Sequence, residues 1–404
     1  MNGKIGQPEL LKEINRSRAF EILKSTRILS RPELAQQTGL SRATIALLME
    51  DLLRVGVAQY VGLGDSTGGR PPALLEFNPA AAYALGAAMR DHEWRIVVTD
   101  LDASVLHRLD VAISGHSPEA AVAALETGVQ TILAQVDEAK VLPAIGLGTP
   151  GLVDMRTGVI KTAVDVGWFD VPIRDLVEAA LKRSAFVANR SRVGALAEFW
   201  YGASQGLNEI IYISIGTGVS AGIVHAGELY MGVNSSAGEL GHITILPDGP
   251  LCRCGNRGCL QQLISEPAIA DRARARLREG EQTLLWELAG NHPERITAEM
   301  VFAAAEQGDP LSAAIVAETA SYLGIAIANL INLFNPQLIV LGGPVGQMSH
   351  NMLPALLDEV RRRALSYPLS VAQIVPSALG ADANAIGAAA LVLRRASEMI
   401  FAER

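Results

Sequence analysis

The chain opens with helical periodicity. In residues 15–25 (NRSRAFEILKS), Ala19, Ile22 and Leu23 recur at i, i+3 and i+4, one apolar stripe along a helix. A second helix is predicted from Ser30, an N-cap with Pro32 in the first turn and Glu33 at capping-box spacing, and its body runs to about Thr38. Gly39 supplies a turn. Ser41 then caps a third helix reaching about Val55, with Ile45, Leu48, Leu52 and Leu53 turned inward. Two short helices across a glycine turn read as helix-turn-helix. The third is the recognition element, because its first turn (Ser41, Arg42, Ala43, Thr44) is mostly polar while its later turns are apolar and anchored. Next, VAQYVG alternates as a strand, DSTGGRPP forms a loop, and ALLEF returns as a second strand, completing a winged helix. Arg70 falls at the wing tip, where a guanidinium can enter a minor groove. Three short helices and a hairpin also make a protein interaction module, so that reading stays open here.

From about Tyr83 the pattern changes to strands alternating with helices, which predicts an α/β layered fold. Candidate strands are 95–100, 104–113, 144–148, 209–215, 222–225 and 338–341. Several end in glycine. The runs at 145–151 (IGLGTPG), 216–218 (GTG) and 342–344 (GGP) are expected to be turns where backbone can approach a ligand. The longest apolar stretch, 311–334, is interrupted by Glu318, Asn329 and Asn332, which argues against a membrane span of about 18 or more apolar residues. A charged amino terminus in place of an apolar signal segment predicts a cytoplasmic protein.

At 404 residues, two or three domains are expected. The 34 Lys+Arg and 42 Asp+Glu are unevenly placed: residues 1–80 carry 10 and 8, a net of +2, and the remainder carries 24 and 34, a net of −10. The front of the chain is thus the basic part, although +2 alone is a weak electrostatic footprint for nucleic acid. The three cysteines, Cys252, Cys254 and Cys259, lie within eight positions, which suits a metal better than a disulfide framework. With His242 they make a Cys3His set, the ligand chemistry of a closed structural zinc site, in a loop given its turns by Pro247, Gly249, Pro250, Gly255 and Gly258.

At these residues the sequence resembles the ROK family of bacterial repressors and sugar kinases. The most specific likeness is GELGH at 238–242 followed by CRCGNRGC at 252–259, similar to the family's zinc signature. AIGLGTPGLVD, VGWFDVP around Trp168, GTGVSAG and NPQLIVLGGPV also follow the family pattern, and the GRPP wing resembles the repressor branch. The resemblance implies an N-terminal winged helix-turn-helix (1–82) followed by a two-lobed actin-like ATPase, ribonuclease H-like core. One lobe would be 83–195, with residues 385–404 packing back on it. The other, 196–384, would carry the zinc loop and the oligomerisation surface. The family's sugar contacts carry over to Asn189, Glu239, His242 and Gln261, the last standing where the family usually has Glu.

The departures from the family pattern separate a regulator from a kinase. A kinase of this kind opens its core with a glycine-rich phosphate loop of DxGxT type, whereas residues 85–93 read LGAAMRDHE and place Ala88 at the acidic position. Its catalytic Asn-Asp pair is here Asn189-Arg190, and a guanidinium that stays protonated cannot act as general base. The resemblance therefore implies a non-enzymatic DNA-binding regulator of carbohydrate genes, a repressor switched by a sugar or sugar derivative. It would act as a homodimer or homotetramer on a palindromic double-stranded operator, with one structural Zn2+ per chain. Ser41, Arg42, Thr44 and Arg70 would contact DNA. The alternatives are a ROK sugar kinase with an appended DNA-binding domain and a ligand-independent repressor.

Overall fold

The computed structural model describes residues 7–64, 71–90, 92–204 and 206–402. The helical front consists of α1 (Gln7–Thr26), α2 (Arg31–Thr38) and α3 (Arg42–Arg54). Local chemistry sets these ends. Ser30 N donates to the Glu33 carboxylate at 2.6 Å while the Ser30 side chain accepts from Glu33 N, a complete capping box. Gly39 takes the left-handed conformation (φ 71°) that ends α2, and Ser41 Oγ accepts from Thr44 N at 3.2 Å to start α3. The expected hairpin is present as β2 (Ala58–Leu63) and β3 (Ala73–Phe77), and a strand that periodicity did not reveal, β1 (Ile28–Ser30), pairs with β3 to give the order β1-β3-β2. Phe20, Leu23, Ile45, Met49, Leu52 and Leu75 form the shared core. Arg70, assigned to the wing tip, lies outside the described residues.

Two five-stranded sheets follow, and they repeat one topology. The first contains β4 (Tyr83–Arg90), β5 (Glu93–Thr99), β6 (Val105–Ala112) and β7 (Val141–Thr149). A small sheet of β8 (Leu152–Asp154), β9 (Val159–Ala163) and β10 (Trp168–Val171) comes next, and β11 (Ser184–Asn189) completes the large one in the order β11-β7-β4-β5-β6. The second sheet contains β12 (Ile210–Ile215), β13 (Val219–His225), β14 (Glu228–Leu229), β15 (Leu338–Gly342) and β16 (Gln373–Pro376), ordered β14-β13-β12-β15-β16. In each, three strands meander antiparallel and two more run parallel to the first. This is the expected two-lobed, ribonuclease H-like core.

Three expectations change. Residues 87–90 are strand and not loop, because β4 continues without a break to Arg90 and Ala88 pairs with Arg95 of β5. Gly146 and Gly148 are not in a turn either; both lie inside β7. The lobe boundary expected between 195 and 196 falls within a helix.

That helix belongs to the lobe helices α4 (Pro118–Leu133), α5 (Ile173–Leu181) and α6 (Arg190–Tyr201). The Ala383–Leu393 helix lies against α6, β4 and β7. The last helix, Ala396–Ala402, returns to α1, where Ser397 Oγ and Ser17 Oγ are 3.0 Å apart. In the second lobe the 25-residue Pro310–Phe334 helix is long and apolar enough by composition to cross a membrane, but its Leu323, Ile327 and Ile331 are fully buried in the lobe core.

Candidate functional site

The loop after β14 lies flat on β13. A Cβ at Gly238 would come within 2.0 Å of the Ala221 carbonyl oxygen, and one at Gly241 within 2.2 Å of that of Val219. Glycine at both positions lets Ala221 N donate to Gly238 O at 2.7 Å, and this contact places Glu239 and His242 at the cleft between the lobes. Arg192, buried on α6, braces the approach to this loop by donating to the carbonyls of Ser235 (2.5 Å) and Ala237 (3.1 Å).

The cysteine hairpin closes beside it through Cys252 N donating to Asn256 O at 2.7 Å. The ligand atoms of His242, Cys252, Cys254 and Cys259 all lie within 4.8 Å of one another, as their spacing predicted. Cys254 and Cys259 Sγ are 3.8 Å apart, and Cys252 Sγ is 3.7 Å from His242 Nδ1. Two thiolates each about 2.3 Å from one tetrahedral ion would sit about 3.8 Å apart, so the cage already has the dimensions for a cation. A hydrogen bond from the backbone at Asn256 holds the Cys254 thiol below its usual value, whereas burial pushes Cys259 up to about 12. Closing the cage on an ion therefore requires a proton to leave Cys259.

Next to the cage is a cavity of about 330 Å³ whose walls include Glu239, His242, Gln261, Asp165 and Arg190. Burial raises the Glu239 carboxyl, and His242 and Arg192 draw it back. Gln261 is buried, with Oε1 accepting from Val219 N at 3.3 Å, which leaves the amide nitrogen as the atom it presents to a hydroxyl. Asn189 is not brought to the wall. Its Oδ1 caps α6 through Ser191 N (2.8 Å), and its Nδ2 donates to Gly151 O at 2.7 Å. It shapes the cavity only through Gly151, which does line it.

Arg190 also lines a second compartment of about 350 Å³, together with Ala88, Arg90, Tyr212, Thr217 and Gly343. It therefore stands at the junction of the two. The residues expected to contact DNA are elsewhere: Ser41 and Arg42 are exposed at the start of α3, with Ser41 Oγ 2.9 Å from Thr44 Oγ1 in the cap. Sequence reasoning missed Asp165. Its carboxylate is 3.9 Å from the Arg253 guanidinium of the cysteine hairpin, joining the two lobes across the cleft mouth. Its only linear signal is its position three residues before Trp168.

A helix-turn-helix, a duplicated ribonuclease H-like core and a Cys3His cage at the cleft mouth define one class of protein. The chain belongs to the ROK family, which matches residues 85–395 and so begins just after the helix-turn-helix. Among relatives, it is 30% identical over 391 residues to the putative xylose repressor of Caldicellulosiruptor sp. (strain Rt8B.4), spanning 96% of this chain and 98% of that protein. It resembles the crystal structure of a ROK family transcriptional regulator, a homologue of the E. coli MLC protein, with TM-score 0.82 and 29% identity over 97% of this chain and 98% of that one. A ROK family glucokinase from Streptomyces griseus, in complex with glucose and AMPPNP, has TM-score 0.72 and 29% identity over 77% of this chain and 99% of its own.

Proposed function

We propose that this protein is a cytoplasmic DNA-binding transcriptional repressor of carbohydrate genes, with a sugar as its effector and no phosphoryl-transfer activity. One arrangement carries the reading: a single helix joins the cleft to the DNA-reading end. The first residue of α6, Arg190, lines both compartments, and its last, Tyr201, has its ring 5.7 Å from Lys24 Nζ of α1. A ligand that prefers one cleft opening moves α6 and with it the seat of the helix-turn-helix, and regulation requires only that differential affinity. Glu239, His242 and Gln261 would hold the sugar hydroxyls. Zinc in the Cys3His cage would keep His242 in register with Glu239, with all four positions filled by protein and none open for catalysis. Winged helices from a dimer or tetramer would read a palindromic operator, since one recognition helix spans too few base pairs for useful specificity.

Arg190 and Ala88 both count against a kinase. A protonated guanidinium takes no proton from a sugar hydroxyl, and Ala88, within a strand that runs to Arg90, supplies no carboxylate for Mg2+ where a kinase of this kind has its acidic residue. The test is retention of fragmented genomic DNA by the full-length protein, with and without a panel of hexoses, hexosamines and xylose. The expected outcome is enrichment of a palindromic site that one sugar abolishes. Sugar-dependent ADP release above about 1 per second would overturn the reading in favour of a kinase. Enrichment indifferent to every sugar, with no heat of binding, would reduce the cleft to a relic.

A further inference from the structure

We infer that Leu47 reads thymine methyl groups in the major groove, so that each operator half-site carries a T·A pair beneath it; this inference rests on the DNA-binding reading above. The core side of α3 is Ile45, Leu48, Met49 and Leu52, none more than 4% exposed. At about 100° per residue the opposite side is Ala43, Leu47, Glu50 and Arg54. Leu47 is 63% exposed at the middle of that outward face. The core of the front domain is completed without it, and nothing else in the described chain covers it.

What surrounds Leu47 specifies its occupant. Ala43 lies one turn earlier, giving a narrow apolar strip that begins in the first turn of the helix, beside Ser41 and Arg42. The N-terminal part of a recognition helix is the part that meets base edges. On the floor of the major groove the one apolar feature is the C5 methyl of thymine, and small aliphatic side chains are its partners. Glu50, one turn further on, suits a cytosine amino group and not a phosphate, which keeps this face over the groove floor. Charge does not oppose this occupant. Residues 1–80 carry a net of +2 against −10 for the rest, so this end of the molecule is the one that least repels a polyanion.

The probe is a duplex recovered from a randomised pool by repeated selection on the full-length protein, then resynthesised with deoxyuridine replacing thymidine one position at a time. Deoxyuridine differs only by the missing methyl. For the wild-type protein one symmetric pair of positions is expected to lose roughly fourfold in affinity per methyl, the effect of removing one buried carbon. Leu47→Ala is expected to bind the thymidine duplex roughly tenfold more weakly and to bind thymidine and uridine duplexes equally at that pair. Its melting temperature should be unchanged, because Leu47 is exposed and alanine is the better helix former. An undiminished thymidine-to-uridine ratio in Leu47→Ala, or no responsive position in the wild type, overturns the assignment. A changed sedimentation coefficient with unchanged discrimination also overturns it and gives the face to contact between copies. Recovery of no duplex at all refutes the DNA-binding reading, and the assignment with it.

Discussion

Replacing Gly146 with alanine should cost this protein more than any change of one methyl elsewhere on its first sheet. A Cβ at this position in β7 would lie 1.7 Å from the carbonyl oxygen of Ala388, on the Ala383–Leu393 helix. Real Cβ contacts keep at least 3.0 Å, so strand and helix must part by at least 1.3 Å, and backbone cannot rotate away as a side chain could. The helix has nowhere to go. On the same sheet a Cβ at Gly86 would be 2.3 Å from Ala385 O, and on the helix's far side one at Gly387 would be 1.8 Å from Val193 O of α6. A helix held between sheet and α6 takes overpacking at or above the upper end of about 1–3 kcal/mol, a fall of roughly 6–10 °C in melting temperature. Gly39→Ala is the comparison. No atom lies within 4 Å of its Cβ position, but φ is 71°, so only backbone strain of roughly 1–2 kcal/mol is expected. Calorimetric melts of both variants at one protein concentration decide the matter. If Gly146→Ala melts within about 1 °C of wild type, or above Gly39→Ala, the close-packed helix is not what glycine at 146 serves.

Three further outcomes are expected. Dialysis against a strong chelator should remove one zinc per chain by elemental analysis and lower the melting temperature, and Cys259→Ser should purify without the metal; a protein that melts identically with and without chelator would refute a structural role. Glu239→Gln should weaken sugar binding about tenfold by calorimetry, since a charge-assisted hydrogen bond becomes a neutral one. Asp309 caps the Pro310–Phe334 helix, and although burial pushes its carboxyl up, donors from Ser312, Thr283 and Leu284 overcome this and hold it below the usual range. A carboxyl lowered on folding stabilises the protein above its unfolded value and loses that contribution as pH falls. Asp309→Asn should therefore cost about 1–2 kcal/mol at neutral pH, with the gap from wild type closing below about pH 4 in melts across the acid range.

Much of the site was legible where interactions are local. Ser30, Glu33, Gly39 and Ser41 each bond a group no more than four residues away along the chain, and their spacing alone placed α2 and α3. The Cys3His cage was readable for the same reason, because His242 and Cys259 are 17 positions apart and one hairpin brings them together. Strand β4 was not readable. YALGAAMR is buried on both faces apart from its ends, so it has no alternation, and its alanines and glycine carry little strand preference.

By itself, then, the sequence determined the helix caps, the helix-turn-helix and the grouping of His242 with the three cysteines. Only the tertiary structure decided which groups face the cleft. It committed Asn189 to a helix cap, put Gly146 to work against the Ala383–Leu393 helix and set Asp165 opposite Arg253, 88 positions away. The physical reason is that a capping bond or a metal cage is satisfied by near neighbours in the chain, whereas a side chain's access to a cavity depends on which distant strand or helix has already taken its other face.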